Sequence, residues 1–143
     1  MSMMKFTSNS RAQTVELGKR LGERLKSGDV VLFSGGLGAG KTAFVSGIAA
    51  GMGIDKNVTS PTFAIVNEYG GDPALFHFDM YRIESSDQLY NIGFDDYLER
   101  GGVCAIEWSE NVADYFGDDV IKVNIEHEGE GRRITISGLD CEL

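Results

Sequence analysis

A glycine-rich octapeptide at residues 35–42 carries the clearest chemistry in this chain. It reads Gly-Gly-Leu-Gly-Ala-Gly-Lys-Thr and matches the pattern G-x-x-x-x-G-K-[ST] at every fixed position. In this pattern backbone N–H groups surround phosphate oxygens, the lysine reaches the β- and γ-phosphates, and the hydroxyl ligates Mg²⁺. The octapeptide, called the phosphate loop below, therefore predicts a site for a nucleoside triphosphate in which Lys41 and Thr42 contact phosphate and metal.

The residues on either side of the phosphate loop support this interpretation. An apolar run at 30–33 predicts a buried strand before it, and residues 41–52 predict a helix after it. A helix N-terminus that follows a glycine-rich turn offers unpaired backbone donors and partial positive charge to a bound phosphate. The expected nucleotide contacts come from the turn and the first helical turn: Leu37, Gly38, Ala39, Gly40, Lys41, Thr42 and Ala43.

Two carboxylates at the ends of apolar segments are candidates for the rest of the site. Residues 103–107 read VCAIE and end in Glu107, and residues 74–79 read ALFHFD and end in Asp79. A phosphate loop needs a carboxylate for Mg²⁺ and a group that orients the attacking water. We expect Glu107 to hold Mg²⁺ directly or through water, and Asp79 to orient the water or to help bind the metal.

Four neighbouring features each allow two interpretations. His77 alternates with apolar positions, so a hydrogen-bonded structural histidine fits at least as well as a functional one. Arg82 can pair with Asp79 or with a γ-phosphate. The segment 60–62 reads SPT and suits either a nucleotide-sensing switch or a plain strand entry. Trp108, the only tryptophan, either belongs to the core or stacks near the nucleotide.

The remaining segments predict one domain of the α/β class over residues 1–143, with a mixed sheet flanked by helices and a C-terminal β-hairpin. The hairpin strands, at 119–126 and 132–137, alternate apolar and polar residues and are joined by a turn at 128–131. Ser10 with Gln13 fits a capping box at the start of the first helix. Strands are predicted at 4–8, 29–34, 62–69, 74–79 and 103–108, helices at 10–26 and 41–52, and helical turns at 86–91 and 94–99.

Composition and charge limit the possible partners. The formal net charge is −9, which predicts a poor stand-alone nucleic-acid binder, because affinity for phosphate backbones depends on lysine and arginine. Residues 5–26 nevertheless hold six basic and two acidic side chains. They form either a solvated face or a contact for an acidic partner, or for RNA held by a partner.

Neither cysteine has metal-ligand spacing. Because the sequence has no signal core and no long apolar run, we expect a cytoplasmic protein with no membrane segment.

The combined motifs resemble the TsaE (YjeE) family of bacterial P-loop ATPases. The matching residues are the phosphate loop, SPTF at 60–63, HFDMYR at 77–82 and IEW at 106–108, in the family's order and spacing. The resemblance extends over residues 5–137. Thousands of proteins share a phosphate loop, whereas its combination with His-x-Asp-x-Tyr-Arg and Glu-Trp is much more specific.

The resemblance implies a Mg²⁺-dependent ATPase required for N6-threonylcarbamoyladenosine (t6A37) formation in tRNA. Such proteins act with a TsaB–TsaD pair, in which TsaD carries the transferase chemistry, so tRNA would be met only indirectly through the complex. The resemblance implies that Lys41 and Thr42 bind phosphate and Mg²⁺. It also implies that Glu107 helps to hold Mg²⁺ and that Asp79 serves hydrolysis.

Two further assignments come from the resemblance alone. The segment 60–63 resembles the family's switch-like segment. Gly131 and Arg132 resemble a family position close to the nucleotide, although the neighbouring Arg133 leaves the alignment open by one residue.

Three alternatives remain beside the ATPase. A small-molecule kinase needs an arginine-bearing lid, and no basic residue occurs between Ile83 and Glu99. A Ras-like GTPase needs an Asn-Lys-x-Asp motif, which the chain lacks, although residues 114–117 formally match D-x-x-G. The third is a non-catalytic assembly protein that uses ATP binding as a conformational switch, and an intact site does not distinguish it from a slow ATPase.

Overall fold

The structure is a computed structural model, and it describes residues 3–36, 40–55, 57–59, 66–80, 83, 86–108, 112, 115–117, 119–139 and 143. The strands are β1 Met4–Ser8, β2 Val30–Gly35, β3 Val66–Tyr69, β4 Leu75–Asp79, β5 Val103–Glu107, β6 Ile121–Glu128 and β7 Gly131–Ser137. The helices are α1 Arg11–Gly22, α2 Lys41–Gly51, α3 Ser86–Asn91 and α4 Phe94–Glu99.

The seven strands form one sheet in the order β1-β7-β6-β2-β5-β4-β3. The pairs β2–β5, β2–β6 and β4–β5 are parallel, whereas β1–β7, β6–β7 and β3–β4 are antiparallel. This confirms the predicted mixed α/β sheet and its C-terminal hairpin. Because the central strands run parallel, their carboxyl ends meet at one edge, where ligands bind in open α/β sheets.

Helices α1 and α2 cover one face of the sheet and touch each other through glycines. A Cβ on Gly47 would lie 2.1 Å from the carbonyl oxygen of Val15, and one on Gly18 would lie 2.3 Å from that of Phe44. A Cβ on Gly22 would likewise lie 2.3 Å, and one on Gly51 2.2 Å, from a backbone carbonyl oxygen of the opposite helix. Only glycine permits this close approach. The contact between the two helix backbones fixes the position of α2, and therefore also the position of the end of the phosphate loop that leads into it.

The opposite face of the sheet is covered by α4 through aromatic side chains. Phe78 makes edge-to-face contacts with Phe94 at 5.0 Å and with Tyr97 at 5.2 Å between ring centroids. Cys104 lies fully buried in this cluster, and burial raises the pKa of its thiol to about 12. The thiol is therefore an inert core group.

The first helix begins as predicted and ends earlier. The Gln13 N–H donates to Ser10 Oγ at 3.1 Å, and the Gln13 side chain accepts from the Asn9 N–H at 2.7 Å, one residue before the partner a capping box uses. The predicted end at Lys26 was wrong, since α1 ends at Gly22. Beyond it the amides of residues 24 and 25 donate to carbonyls only three residues back, which tightens the chain into turns.

Several strands begin or end one or two residues from the predicted bounds, and one predicted strand is only partly described. Only Val66–Tyr69 of the predicted strand 62–69 is described, and 62–65 lie outside the described residues. In the hairpin, Glu128 still pairs with Gly131, so the connection is the two-residue turn of Gly129 and Glu130. Gly129 has φ +61°, the left-handed conformation that such tight hairpin turns require.

Candidate nucleotide-binding site

The two predicted carboxylates lie side by side at the carboxyl edge of the sheet. Asp79 of β4 is directly opposite Glu107 of β5, and β5 is the neighbour of β2, which leads into the phosphate loop. Residues that are opposite in register lie on the same face of a sheet. On this face Leu75, Val103 and Ala105 pack in one cluster with side chains of α2. Both carboxylates therefore lie on the side of the sheet from which α2 begins.

The described part of the phosphate loop is shaped by glycines at both ends. Gly35 has φ +123°, and a Cβ there would lie 2.0 Å from the carbonyl oxygen of Ile125. Gly40 precedes α2 with φ +104°, and no side chain caps the first turn of that helix. Residues 37–39 lie outside the described residues. The uncapped N-terminus of an eleven-residue helix offers backbone donors to an anion.

Lys41 is almost completely buried against Trp108. Its side chain is 6% exposed, and its Nζ lies 4.2 Å from the centroid of the indole ring. Trp108 has φ +59°, the only positive φ outside glycine among the described residues. This unusual turn directly after β5 brings the ring under the ammonium, where a cation–π contact contributes about 0.5–2 kcal/mol. Trp108 is thus half-buried beside the core, and it is also a neighbour of the lysine that is predicted to bind phosphate.

Glu107 is hydrogen-bonded to His77. The carboxylate is 6% exposed, the imidazole is fully buried, and His77 Nε2 meets Glu107 Oε2. From the sequence, a structural role for His77 was at least as well supported as a functional one, and no pairing with Glu107 was predicted. The alternation of His77 with apolar residues places it on the same face as Asp79, a signal that was present in the sequence, whereas the pairing of β4 with β5 brings Glu107 to that face.

The oxygen groups at this edge fit Mg²⁺ that arrives with a nucleotide. Thr42 and Asp79 are half-buried, and with Glu107 they offer one hydroxyl and two carboxylates. Among the described residues, no group of three or more histidine, cysteine or acidic side chains is placed to hold a metal ion. In nucleotide sites Mg²⁺ takes one or two carboxylates from the protein and completes its octahedron with phosphate oxygens and water.

A cavity of about 390 Å³ adjoins the start of α2. Residues 8–11, Thr14, Gly40, Ala43 and residues 130–132 line it. The sequence pointed to Gly40, Ala43 and Arg132 but missed the turn between β1 and α1, which has no motif of its own. The cavity shares Gly40 with the phosphate loop and includes Ala43 of the first turn of α2, so it adjoins the predicted phosphate site.

The structure separates the two adjacent arginines of β7. Arg132 lines the cavity, and its Nη1 donates to the Gly131 carbonyl at 2.9 Å. Arg133 points to the other face and forms an ion pair with Glu128, with 3.0 Å between Nε and Oε2. Arg132 is therefore the residue beside the site.

Other candidate residues lie away from this edge or outside the described residues. Arg100 stands at the opposite edge, before β5, and forms an exposed ion pair with Glu68 at 2.6 Å. The segment 60–63 and Arg82 lie outside the described residues, as does the first residue of the motif at 114–117.

None of the described helices is long and apolar enough to cross a bilayer.

A mixed α/β sheet whose central strand leads through a G-x-x-x-x-G-K-[ST] loop into a helix defines a nucleotide-binding protein of the P-loop class. A sequence model of one family in this class, described as "Threonylcarbamoyl adenosine biosynthesis protein TsaE", matches residues 8–135. The chain belongs to the TsaE family.

Relatives of the chain agree with this membership. A protein of Treponema pallidum named tRNA threonylcarbamoyladenosine biosynthesis protein TsaE is 38% identical over 135 residues, which cover 94% of this chain and 100% of that protein. A protein of the same name from Bacillus subtilis is 36% identical, over 93% of this chain and 84% of the relative. The crystal structure of Bacillus subtilis YdiB matches with a TM-score of 0.80 and 32% identity, covering 94% of this chain and 84% of that one.

Proposed function

We propose that this protein binds Mg²⁺-ATP, hydrolyses it, and serves the formation of threonylcarbamoyladenosine in tRNA in the cytoplasm. The observation that carries the proposal is one arrangement: the uncapped start of α2 and Lys41 stand beside the in-register carboxylates Asp79 and Glu107. Membership in the TsaE family supports the tRNA role, since relatives of the chain are named for tRNA threonylcarbamoyladenosine biosynthesis.

In this proposal each site residue has a defined task. Lys41 and the N–H groups at the start of α2 bind the β- and γ-phosphates, and Leu37, Gly38 and Ala39 are proposed as further phosphate contacts. Thr42 and Glu107 hold Mg²⁺, which supplies the charge neutralisation of phosphoryl transfer when it is bound. Asp79 orients the attacking water.

The cavity beside α2 is the proposed site of the ribose and base. Its volume of about 390 Å³ suits a nucleoside. Its lining offers hydroxyls from Ser8, Ser10 and Thr14, an amide from Asn9, and the guanidinium of Arg132. Ser8 and Thr14 are bonded to each other at 2.7 Å between hydroxyl oxygens, so this wall of the cavity is already organised.

Hydrolysis is expected to be slow for the protein alone and faster on a TsaB–TsaD-like complex. Transition-state charge in P-loop enzymes is commonly neutralised by an additional arginine. Among the described arginines near the carboxyl edge, Arg133 faces away and is paired with Glu128, and Arg11 and Arg132 line the cavity proposed for the ribose and base. The net charge of −9 also disfavours direct tRNA binding, so the partners are expected to hold the tRNA.

Calorimetric titration with ATP and Mg²⁺, followed by phosphate release with and without the partner pair, tests the proposal. Binding that is weakened at least about tenfold by Lys41→Ala is expected, since a charge-assisted contact contributes about 1.5–3 kcal/mol. Binding without any phosphate release, even with the partners present, would instead identify a nucleotide switch that does not turn over.

A further inference from the structure

We propose that His77 is a positioning residue that fixes the Glu107 carboxylate at the proposed metal site. This inference rests on the proposed Mg²⁺-nucleotide function. It concerns a side chain that touches neither phosphate nor metal and that acts through the carboxylate to which it is bonded.

The sheet brings the two side chains together diagonally. His77 is directly opposite Ala105, and Asp79, two residues later, is opposite Glu107. Ala105 is fully buried and ends at its methyl group, so it leaves room for the imidazole to lean along the strand toward Glu107. A larger residue at position 105 would fill that space.

The chemistry of the pair determines the direction of the hydrogen bond. An ionised carboxylate only accepts, so His77 Nε2 carries the proton and donates to Glu107 Oε2. No other described residue donates to this carboxylate. The imidazole therefore holds one oxygen of Glu107 and leaves the second oxygen for a ligand.

The cost of the arrangement argues against a purely structural role. His77 Nδ1 is buried and has no hydrogen-bond partner among the described residues. An unsatisfied buried polar atom costs about 1–3 kcal/mol, and an apolar side chain would pack this fully buried position without that cost. The histidine is better explained by the orientation it gives Glu107 than by stability, because polar groups that support metal ligands are retained for geometry.

The test compares two amides at one position. The amide nitrogen of glutamine corresponds to Nε2 of histidine and reaches Glu107, whereas that of asparagine corresponds to Nδ1 and is too short. For His77→Gln, His77→Asn and wild type, calorimetry gives the affinity for a non-hydrolysable ATP analogue with Mg²⁺ and with EDTA. Phe76→Leu is the control, because Phe76 is equally buried on the other face of the same strand.

We expect His77→Asn to weaken the Mg²⁺ enhancement of analogue binding by about 10- to 100-fold, the usual effect of losing a group that supports a metal ligand. Affinity in EDTA should stay at the wild-type value. His77→Gln should keep the enhancement within a few-fold, and Phe76→Leu should lower only the melting temperature. If His77→Asn does not fold, His77→Leu, apolar and of similar volume, takes its place.

Equal Mg²⁺ enhancement in wild type and the Asn or Leu variant would overturn the inference while leaving nucleotide binding intact. So would a loss of the same size in Phe76→Leu, which would point to general destabilisation, or a loss in His77→Gln as large as in His77→Asn. A wild-type protein that fails to bind the analogue in either buffer would instead reject the proposed function, and the inference with it.

Discussion

Replacement of Lys41 by methionine should stabilise the protein and impair it at the same time. Lys41 is 6% exposed, and no described carboxylate lies within ion-pair distance of its ammonium. Burial of an unpaired charge costs several kcal/mol, whereas the contact with Trp108 at 4.2 Å returns about 0.5–2 kcal/mol. Methionine fills a similar volume without charge, so the free energy of unfolding should rise by about 1–2 kcal/mol.

Two measurements on this variant test the reasoning. Denaturant unfolding should show the increase, and the melting temperature should rise by roughly 3 °C for each kcal/mol. ATP affinity should fall by about 10- to 100-fold, because a charge-assisted phosphate contact is lost. Lys122→Met is the matched control, since Lys122 is exposed on β6 and should change neither quantity. A Lys41→Met protein that is less stable than wild type and binds ATP equally well would refute the assignment of Lys41 as a buried cation that binds phosphate.

Three further predictions follow from other parts of the structure. Asp79→Asn should keep ATP affinity within a few-fold and lose most phosphate release, because water positioning fails while phosphate contacts remain; wild-type turnover with partners present would exclude that role. Gly47→Ala should lower the free energy of unfolding by about 1–2 kcal/mol in denaturant melts, because the new Cβ would lie 2.1 Å from the Val15 carbonyl oxygen. This overpacking outweighs the gain of about 1 kcal/mol in helix propensity from glycine to alanine. Ser46→Ala, the control, should be neutral. Trp108 emission should change saturably with Mg²⁺-ATP as phosphate draws Lys41 from the ring, and an unchanged spectrum at saturating nucleotide would contradict that contact.

The sequence predicted most of the sheet because its signals are local. Apolar runs that end in a single polar residue, as at Glu107, indicate a buried strand and mark its carboxyl end. The glycine-rich turn and the alternating tail likewise predict their own structure. Parallel strands end at the same edge of the sheet, so Asp79 and Glu107, chosen separately, both lie at that edge, and the observed register places them opposite each other.

Contacts between distant segments were not predictable in the same way. The bond between His77 and Glu107 depends on which strands are neighbours and on the small Ala105 between them. The close contact of α1 and α2 depends on glycines in two helices, and a single helix gives no reason for Gly47. The turn between β1 and α1 lines the cavity only because β1 pairs with β7, beside Arg132.

The helix end at Gly22 was missed for a different reason. Leu25 continues the apolar spacing of α1 and still packs partly against the core, so periodicity extends the helix past its true end. Hydrogen bonding decides the boundary, and the amides after Gly22 already bond in a tighter pattern. Apolar spacing reports burial, which a turn can provide as well as a helix.

The central claim is Mg²⁺-ATP hydrolysis at the phosphate loop, and phosphate release by wild type and Glu107→Gln tests it most directly. Both proteins are assayed with Mg²⁺ and with EDTA, each alone and with a TsaB–TsaD pair. We predict slow Mg²⁺-dependent release by the wild type, stimulation by the pair, and loss of both in the variant. Release that is unaffected by EDTA and by Glu107→Gln, or no release by wild type under any condition, would contradict the account.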